Sequence, residues 1–351
     1  MNTLISPVKI GKYTIGEGHP PFIIAEMSGN HNQSLERALA LVDAAAAAGA
    51  HALKLQTYTA DTITVQGAHV ITDEKSLWNG KELYDLYSQA YTPWEWHKTI
   101  FDHAKSKGMV AFSSPFDETA VDFLETLNVP AHKIASFENT DWTLLKKVAR
   151  TGKPVIMSTG VTNVSDIDES VRLLRKYGCK DIILLKCTST YPSTPENSNI
   201  VTIPHMRELF GCHTGLSDHT MGVGGAVAAV ALGASVIEKH FTLSRAEGGV
   251  DSAFSLEPEE LKALVVETER AFLSLGKVQY GVQKAEEKSL NYKRSLYVVQ
   301  DIQAGETITA QNVMSKRPGF GLHTRHYDEV MGKKAKTFLK KGTPLSFDSI
   351  D

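Results

Sequence analysis

The sequence predicts a (β/α)8 barrel, also called a TIM barrel, followed by a small β-rich domain. Two observations support the barrel: eight short apolar segments recur along the chain, and a stretch with helical spacing follows each of them. A parallel strand followed by a crossover helix, repeated eight times, is the pattern of a closed barrel. A third observation supports the second domain, because the pattern changes near Lys277 to polar residues and then to short strands.

The predicted strands are apolar runs that end in polar residues. In chain order they are PFIIAE, HALKLQTY, MVAFSSPF, AHKIASFEN, PVIMSTG, DIILLKCTSTYP, CHTGLSDHT and ASVIEKHF. This number of strands favours a closed barrel over an open doubly wound sheet. The first crossover lacks the GxGxxG motif of dinucleotide-binding folds, which argues against that alternative.

The predicted helices repeat apolar residues at spacings of three and four positions. The first helix is expected to end at Gly49, because glycine commonly terminates helices. In chain order the helical stretches are SLERALALVDAAAAAG, TPWEWHKTIFDHAKSKG, ETAVDFLETLN, TDWTLLKKVARTG, VSDIDESVRLLRKYG, MRELFG, GVGGAVAAVALG and EPEELKALVVETERAFLSLG.

Residues 59–91, after the second strand, interrupt this pattern with a segment that has no clear period. The segment carries the aromatic residues Trp78, Tyr84, Tyr87 and Tyr91. Long irregular loops often carry function, and this one follows the end of a barrel strand. Two interpretations stay open: a lid over the barrel, or a surface excursion that packs its aromatic side chains against it.

We predict a catalytic barrel of residues 1–276, a linker of residues 277–293 and a second domain of residues 294–351. The linker prediction rests on the polar, charged composition of that segment. The second domain contains two stretches that look like imperfect copies of one strand–turn–strand unit, RSLYVVQDIQAGETITAQNV and KTFLKKGTPLSFDSI. A domain of this size has a marginal core.

The composition argues against several classes of function. Hydrophobic residues at 42% and charged residues at 22% are ordinary for a globular protein. The net charge of −3, with no basic stripe outside KKAKTFLKK, argues against nucleic-acid binding. We find no bilayer-spanning apolar stretch, no signal peptide in MNTLISPVKI, and no CxxC among three cysteines. We therefore expect a cytoplasmic protein that binds neither nucleic acid nor membrane.

Polar side chains with chemical uses end all eight predicted strands. They are Glu26; Lys54 and Gln56; Ser113 and Ser114; Lys133, Ser136 and Glu138; Ser158; Lys186 and Thr188; Ser217, Asp218 and His219; and Glu238 and His240. In a (β/α)8 barrel these strand ends form one mouth, where the active site lies. The sequence therefore predicts a site that combines these side chains.

Two histidines in this set are expected to bind a metal ion. Side chains two positions apart share a strand face, so Ser217 lies with His219 and Glu238 with His240. The last two strands are neighbours about 4.8 Å apart, close enough for both imidazoles to reach one ion. Histidine and oxygen ligands suit Mn²⁺, Zn²⁺ or Fe²⁺ better than Mg²⁺ alone.

Lysines and hydroxyls at the same mouth predict a phosphorylated, carboxylated small substrate. The residues are Lys54, Lys133, Ser136, Ser158 and Ser217. Two other interpretations of the lysines stay open. Each lysine could instead pair with a neighbouring carboxylate such as Glu26 or Glu138. Alternatively, the protein could be a Schiff-base aldolase that uses Lys54, Lys133 or Lys186.

The motifs FIIAEMSGNHNQ, LKLQTY, SSPFDETAVDFLE, KIASFE, VIMSTG, GLSDHT and IEKHF together resemble the sialic acid synthase family. The resemblance covers essentially the whole chain, and the tail with KRPGFGL is similar to that family's C-terminal antifreeze-like (SAF) domain. Within the family, LYDLYSQAYTPWEWH and RPGFGLHTRHYDEVMGKKA are most similar to pseudaminic acid synthases. A carbohydrate-binding or ice-binding module is a weaker reading of the tail.

The resemblance implies a transferase that condenses phosphoenolpyruvate with an open-chain N-acetylated amino sugar and releases phosphate. It implies that a metal ion held by His219 and His240 polarises the sugar aldehyde, with Mn²⁺ preferred and Mg²⁺ or Co²⁺ as alternatives. It also implies a role for Glu138 in handling the proton of the attacking water. The implied phosphoenolpyruvate contacts are Lys54, Lys133, Ser136, Ser158, Ser189 and Ser217. The residues implied to orient the sugar or the metal-bound oxygen are Glu26, Gln56, Tyr191 and Asp251, and Arg317 is implied to contact the sugar. The implied catalytic residues are Glu26, Glu138, His219 and His240.

Two departures from sialic acid synthases proper bear on the sugar. Ser189 stands where those enzymes carry asparagine, and Phe137 stands where they carry glycine. Both changes argue for a substrate other than N-acetylmannosamine, and a bulky apolar residue suits a 6-deoxy sugar. We therefore expect 2,4-diacetamido-2,4,6-trideoxy-L-altrose as substrate and pseudaminic acid as product. N-acetylneuraminate or legionaminate synthesis is the alternative.

The resemblance further implies a homodimer in which the second domain caps the barrel of the partner. In that arrangement an arginine of the cap reaches the acetamido group of the sugar. Arg317 in KRPGFG occupies the matching position. The structural alternative is that Arg317 merely packs near the linker.

Overall fold

The computed structural model describes residues 5–74 and 77–351. It divides into two compact units, the residues up to Gly276 and the segment Lys277–Asp351. In the first unit, eight parallel strands close into a barrel whose last strand pairs with its first, counted over the described residues. The predicted (β/α)8 barrel is confirmed.

The described residues of the first unit form ten strands and ten α-helices, which we number in chain order. The strands are β1 Val8–Ile10, β2 Tyr13–Ile15, β3 Phe22–Glu26, β4 Ala52–Thr57, β5 Val110–Pro115, β6 His132–Ile134, β7 Val155–Ser158, β8 Ile182–Cys187, β9 His213–Asp218 and β10 Val236–His240. The helices are α1 Leu35–Ala47, α2 Ala60–Ile63, α3 Leu83–Ala90, α4 Trp94–Ser106, α5 Glu118–Thr126, α6 Trp142–Arg150, α7 Val164–Lys176, α8 Thr202–Phe210, α9 Gly224–Ala231 and α10 Pro258–Leu275.

Local sequence explains where these elements begin and end. Helix α1 begins after Ser34, whose hydroxyl accepts a hydrogen bond from the amide of Arg37 at 3.2 Å. It is followed by Gly49, whose φ of +89° a residue with a β-carbon rarely adopts. The barrel strands are buried along almost their whole length, since helices cover them outside and side chains fill them inside.

Strand β6 is shorter than predicted and covers only His132–Ile134. Ser136 and Glu138 therefore lie beyond the strand, where the Glu138 amide donates to the carbonyl of Ala135 at 3.2 Å. A turn at this point frees both side chains from the strict alternation of a strand.

Two features outside the barrel repeat were not predicted as regular structure. Strands β1 and β2 form an antiparallel hairpin whose Val8, Ile10 and Ile15 join the main apolar core. The insertion at 59–91 contains α2 and α3, together with a single antiparallel bridge between Val70 and Glu82. The segment predicted to be irregular therefore contains two short helices.

The second unit has its own small core. Strands β11 Ser295–Val298 and β12 Val313–Lys316 pair antiparallel, and helix α11 covers Tyr327–Val330. The predicted second copy contributes single bridges, including Ile302 to Leu339 and Ala335 to Ile350, instead of a continuous ladder. The predicted linker belongs to this unit and includes a 3-10 helix over Lys284–Tyr292.

No helix within the described residues combines the length and apolar character that crossing a membrane requires.

Candidate active site

Alternation along the last two barrel strands sends one set of side chains into the barrel. On β9 and β10, Ser217 and Glu238 are neighbours in register, and the Ser217 hydroxyl donates to Glu238 Oε1 at 3.0 Å. Glu238 also reaches the lysines of β4 and β6. The mouth therefore joins residues from strands that are far apart in sequence.

His219 and His240 lie together at this mouth, with ring centroids 5.3 Å apart. The Nδ1 of His219 donates to the carbonyl of Thr188 at 2.9 Å, which fixes the orientation of its ring. Burial, followed by the charges of His219, Lys54 and Lys133, holds the pKa of His240 well below its usual value. A neutral imidazole is the form that binds metal ions.

The histidine pair fits a metal ion as two ligands of an open site. His240 Nδ1 is buried and makes no hydrogen bond to any described residue, and an oxygen of Asp251 lies 3.5 Å from it. Across residues 5–74 and 77–351, no three His, Cys, Asp or Glu side chains are grouped so that they could hold an ion alone. Oxygen ligands from substrate or water would complete the coordination.

The two predicted lysines are both buried and both paired with carboxylates. Lys54 Nζ lies 2.8 Å from Glu26 Oε2, and the Gln56 amide donates to Glu26 Oε1 at 2.9 Å. Lys133 Nζ lies 3.3 Å from Glu238 Oε1, while Lys54 lies 3.8 Å from Glu238 Oε2. Glu26 is thus a partner of Lys54, as the open alternative allowed, but the partner of Lys133 is Glu238 and not Glu138.

Burial and pairing shift these groups in different directions. Burial lowers the pKa of Lys133, and the carboxylate of Glu238 only partly offsets this. For Lys54, Glu238 and Glu26 together outweigh burial and raise its pKa. Burial raises the pKa of Glu26 despite the neighbouring ammonium group of Lys54. Two positive and two negative groups therefore share one enclosed space.

The sequence placed Glu238 at the mouth but indicated no specific role for it. Its carboxylate contacts Ser217, Lys54 and Lys133, and the two lysines outweigh burial to lower its pKa. The alternation that places His240 in the mouth also places Glu238 there, so the signal was present in the sequence. Its partners could not be read from the sequence, because they come from other strands.

Two of the predicted serines, Ser136 and Ser189, lie against Gly160, in the loop after β7. The Gly160 amide donates to Ser136 Oγ at 3.1 Å, and a β-carbon on Gly160 would collide with the hydroxyls of Ser136 and Ser189. The hydroxyl of Ser158 is buried without a hydrogen-bond partner among the described residues. Hydroxyls and a backbone amide so arranged can bind an anion.

Cys187 is a second residue that the sequence reasoning missed. Burial alone would raise the pKa of its thiol, but a hydrogen bond from His219 and the charge of that imidazole, with the hydroxyls of Ser136 and Ser189, lower it to about 7. The same interaction raises the pKa of His219, although burial opposes the change. Cys187 is the last residue of β8, and its side chain lies in the mouth. In the sequence it follows a run of apolar residues, and nothing in that pattern indicates a functional cysteine.

Glu138 has the properties of a proton-transfer group. Burial raises its pKa to about 7, Lys133 opposes the shift, and Asp141 adds to it. Its Oε2 is buried and has no hydrogen-bond partner within the described part of the chain. A carboxyl group with a pKa near neutrality can accept and return a proton at the working pH.

Aromatic rings form one wall of the mouth. The ring of Tyr191 lies 4.4 Å from His219, 5.4 Å from Phe254 and 6.0 Å from Trp78, measured between centroids. Trp78, from the insertion, donates its Nε1 to the carbonyl of Val250 at 3.2 Å. Asp251 accepts a hydrogen bond from Ser28. The insertion therefore packs on the loop that carries Asp251, and its role as a lid stays a prediction.

Phe137 and Arg317, the remaining residues singled out from the sequence, are both exposed. Phe137 is 62% exposed, in the turn between Ser136 and Glu138. Arg317 is an exposed residue of the second unit, next to the end of β12. Its contact with a partner's barrel stays a prediction.

The fold and the site define a (β/α)8 barrel protein whose mouth combines an imidazole pair with buried lysines and carboxylates. The chain belongs to the NeuB family: the family model matches residues 41–280, and the SAF domain model matches residues 293–351. These matches confirm the resemblance that the motifs indicated.

Individual relatives cover almost the whole chain. A pseudaminic acid synthase of Helicobacter pylori is 42% identical over 95% of this chain and 98% of its own length. An N,N'-diacetyllegionaminic acid synthase of Campylobacter jejuni is 36% identical over 91% of this chain and 97% of its own. A crystal structure of an N-acetylneuraminic acid synthetase from Leptospira borgpetersenii, in complex with citrate, superposes with a TM-score of 0.74 at 32% identity, covering 83% of this chain and 97% of that one.

Proposed function

We propose that this protein condenses phosphoenolpyruvate with an open-chain N-acetylated amino sugar and releases phosphate. The observation that carries the proposal is the meeting of His219 and His240 with Lys54 and Lys133 around Glu238. Carbon 3 of phosphoenolpyruvate forms the new bond to the aldehyde carbon. Water then adds at carbon 2, and phosphate leaves with cleavage of the carbon–oxygen bond.

Lys54 and Lys133 bind the phosphate and carboxylate groups of phosphoenolpyruvate in this proposal. The anion takes over ammonium contacts that Glu26 and Glu238 hold in the free protein. Hydroxyl donors are added by Ser136, Ser158, Ser189 and Ser217. Of these, the hydroxyl of Ser158 has no hydrogen-bond partner in the described part of the chain. Because the lysines and serines already converge on the mouth, they can stabilise charge on the bound substrate.

Glu138 handles the proton of the water that adds to carbon 2. Its buried carboxyl group, with a pKa of about 7, supports this assignment. Glu26, Gln56, Tyr191 and Asp251 orient the sugar, with Glu26 and Gln56 acting as one hydrogen-bonded pair. Fixing two substrates in one geometry supplies part of the rate on its own.

His219 and His240 hold a divalent metal ion, which we propose to be Mn²⁺, with Mg²⁺ or Co²⁺ as substitutes. When bound, such an ion supplies Lewis acidity toward the aldehyde oxygen of the sugar. The lowered pKa of His240, and its Nδ1 without a hydrogen-bond partner among the described residues, support this assignment.

We infer that the sugar is 2,4-diacetamido-2,4,6-trideoxy-L-altrose and the product pseudaminic acid. The identity to pseudaminic acid synthases supports this substrate, and the exposed Phe137 offers an apolar surface to a 6-deoxy carbon. The similarity to a legionaminic acid synthase supports the alternative of a related sugar. Because phosphoenolpyruvate is a cytoplasmic metabolite, we place the reaction in the cytoplasm.

A phosphate-release assay with phosphoenolpyruvate, Mn²⁺ and a panel of amino sugars tests the proposal. We expect turnover of the altrose derivative to exceed that of N-acetylmannosamine and of the legionaminic acid precursor. Faster turnover of either competitor would reassign the sugar. Absence of phosphate release with every sugar would overturn the condensation itself.

We propose further that the protein is a homodimer in which Arg317 of one subunit completes the sugar site of the other. Deletion of residues 284–351 should then abolish turnover, while Arg317→Ala should mainly raise the KM for the sugar. Lys316→Ala is the matched control, since it removes a neighbouring exposed cation of β12. Full activity of the barrel alone would contradict this arrangement.

A Schiff-base aldolase is the alternative of a different class. The observation that supports an aldolase is that burial lowers the pKa of Lys133, which favours the nucleophilic amine form of this side chain. Borohydride treatment in the presence of phosphoenolpyruvate and sugar distinguishes the two routes. We expect no covalent adduct, whereas a stable adduct on Lys54, Lys133 or Lys186 would support the aldolase.

A further inference from the structure

A buried ion pair lies on the outer face of the two strands that carry the histidines. Asp218 and Lys239 are neighbours in register on β9 and β10. Because side chains alternate along a strand, both point away from the barrel interior that Ser217 and Glu238 occupy. Their side chains are 3% and 1% exposed, so the pair is out of contact with solvent and with the mouth.

The ammonium group of Lys239 is fully used. Its Nζ donates to Asp218 Oδ2 at 2.9 Å, to the carbonyl of Thr220 at 2.6 Å and to the carbonyl of Gly222 at 2.9 Å. A lysine has three donors, and each has an acceptor here. The turn after β9 is therefore attached to β10 by one side chain.

The carboxylate of Asp218 holds the same turn from the other side. Asp218 Oδ1 accepts from the amide of Thr220 at 2.9 Å and from its hydroxyl at 2.8 Å. Helix α9 begins directly above, where a β-carbon on Gly225 would lie 3.8 Å from Asp218 Oδ2. The pair thus lies between the strand ends and the helix that follows them.

This network surrounds His219 and adjoins His240. Asp218 and Thr220, the residues on either side of His219, are both bound to the ammonium group of Lys239. Lys239 is itself the residue before His240. One buried cation therefore connects the backbones from which the two imidazoles project.

We propose that Lys239 and Asp218 are a positioning pair that sets the separation and direction of the imidazoles of His219 and His240. Neither residue touches the mouth, so the pair acts through the backbone at 219–222. The inference rests on the proposed function, in which the two histidines hold a divalent metal ion. Supporting partners of this kind typically change metal affinity by about 10- to 100-fold when they are removed.

Mn²⁺ binding to the full-length protein, measured by electron paramagnetic resonance of the free ion, tests the proposal. The main variant is Asp218→Asn combined with Lys239→Met, because it removes both charges and leaves neither buried alone. We expect its dissociation constant for Mn²⁺ to rise by about 10- to 100-fold. Asp218→Asn by itself keeps the shape of the side chain, and we expect a smaller rise in the same direction.

Amide hydrogen exchange of a peptide spanning residues 219–222 provides a second measurement that does not depend on metal. Exchange should be faster in the double variant, since the turn loses the contacts that attach it to β10. Lys153→Met is the control, because it removes another barrel ion pair, to Glu125 at 2.9 Å, on a segment away from the histidines. We expect the control to alter neither Mn²⁺ affinity nor exchange at 219–222.

The outcomes separate this proposal from the proposed function. Tight Mn²⁺ binding by the wild type, with affinity within twofold in both folded variants, would overturn the positioning role and leave the metal assignment intact. A wild type that binds no Mn²⁺ would overturn the metal assignment, and the positioning role would fall with it. If the double variant does not fold, unchanged affinity in Asp218→Asn overturns the proposal and weaker affinity supports it.

Discussion

The inner and outer faces of strands β9 and β10 both bury charged groups, but they satisfy them differently. On the outer face, each donor of Lys239 has an acceptor, and Asp218 accepts from Lys239 and from Thr220. On the inner face, Glu238 is shared between two lysines, and His240 Nδ1 has no hydrogen-bond partner among the described residues.

The difference shows which charges belong to the framework and which are available to a ligand. Buried polar groups are normally hydrogen-bonded, so those left without partners need an explanation. Within the described chain, the barrel mouth contains several of them, including Ser158 Oγ, Glu138 Oε2 and His240 Nδ1. Polar groups that must bind a substrate cannot all be hydrogen-bonded to other protein groups before the substrate arrives.

The largest expected effect is on the inner face. His240→Ala should abolish Mn²⁺ binding and lower kcat by at least about 10,000-fold, because several kcal/mol of charge stabilisation are lost and each 1.36 kcal/mol is a factor of ten. Metal titration and phosphate release measure the two effects. His213→Asn is the control, since His213 begins the neighbouring strand β9 and bonds to the carbonyl of Ser6 at 2.9 Å. Comparable losses in both variants would contradict a specific role for His240.

Glu138→Gln should lower kcat by about 100-fold or more, as expected for loss of a proton-transfer group. In the wild type, Glu138 must be ionised to accept a proton, so kcat should fall as the pH decreases below its pKa of about 7. The variant cannot ionise, and its residual activity should lack this decrease. A pH profile of kcat for both proteins provides the measurement.

Asp141→Asn sharpens the same test. Asp141 raises the pKa of Glu138, so removing its charge should move the acidic limb of the profile to lower pH. Asparagine also caps helices well, so the contacts of residue 141 with the amides of Thr143 and Leu144 at the start of α6 should persist. A limb that stays in place would show that another group is titrating.

The smallest expected effect compares two buried serines. Ser158→Ala removes a hydroxyl with no partner in the described chain, so it should raise the free energy of unfolding by about 1 kcal/mol while weakening phosphoenolpyruvate binding. Ser170→Ala removes a hydroxyl that donates to the carbonyl of Asn139 at 2.6 Å, so it should lower that free energy by a similar amount. Thermal unfolding and phosphoenolpyruvate titration measure both. Equal losses of stability would contradict the contrast between site and framework.

Much of the barrel could be predicted from the sequence because its signals are local. Eight apolar runs separated by helical spacing specify the strands and their order, and alternation specifies that His219 and His240 face inward. The hairpin β1–β2 was missed because three-residue strands carry too little pattern. The turn holding Ser136 and Glu138 was predicted as strand, since these two residues alternate with Ala135 and Phe137 as they would in a strand.

The partners of the buried charges could not be predicted, because each partner comes from another strand. Lys133 and Glu238 are 3.3 Å apart in space, although they belong to β6 and β10. Their approach depends on how the closed barrel projects both side chains into its interior. Cys187 and His219 influence each other for the same reason, and neither neighbourhood could be derived from spacing along the chain.

The sequence by itself determined the barrel, the polar strand ends and the inward direction of the two histidines, because periodicity and composition act over short distances along the chain. Only the tertiary structure decided that Glu238 joins the two lysines and that Lys239 holds the residues on both sides of His219. The physical reason is that electrostatic and hydrogen-bond partners are chosen by distance in the folded barrel, where strands distant in sequence meet.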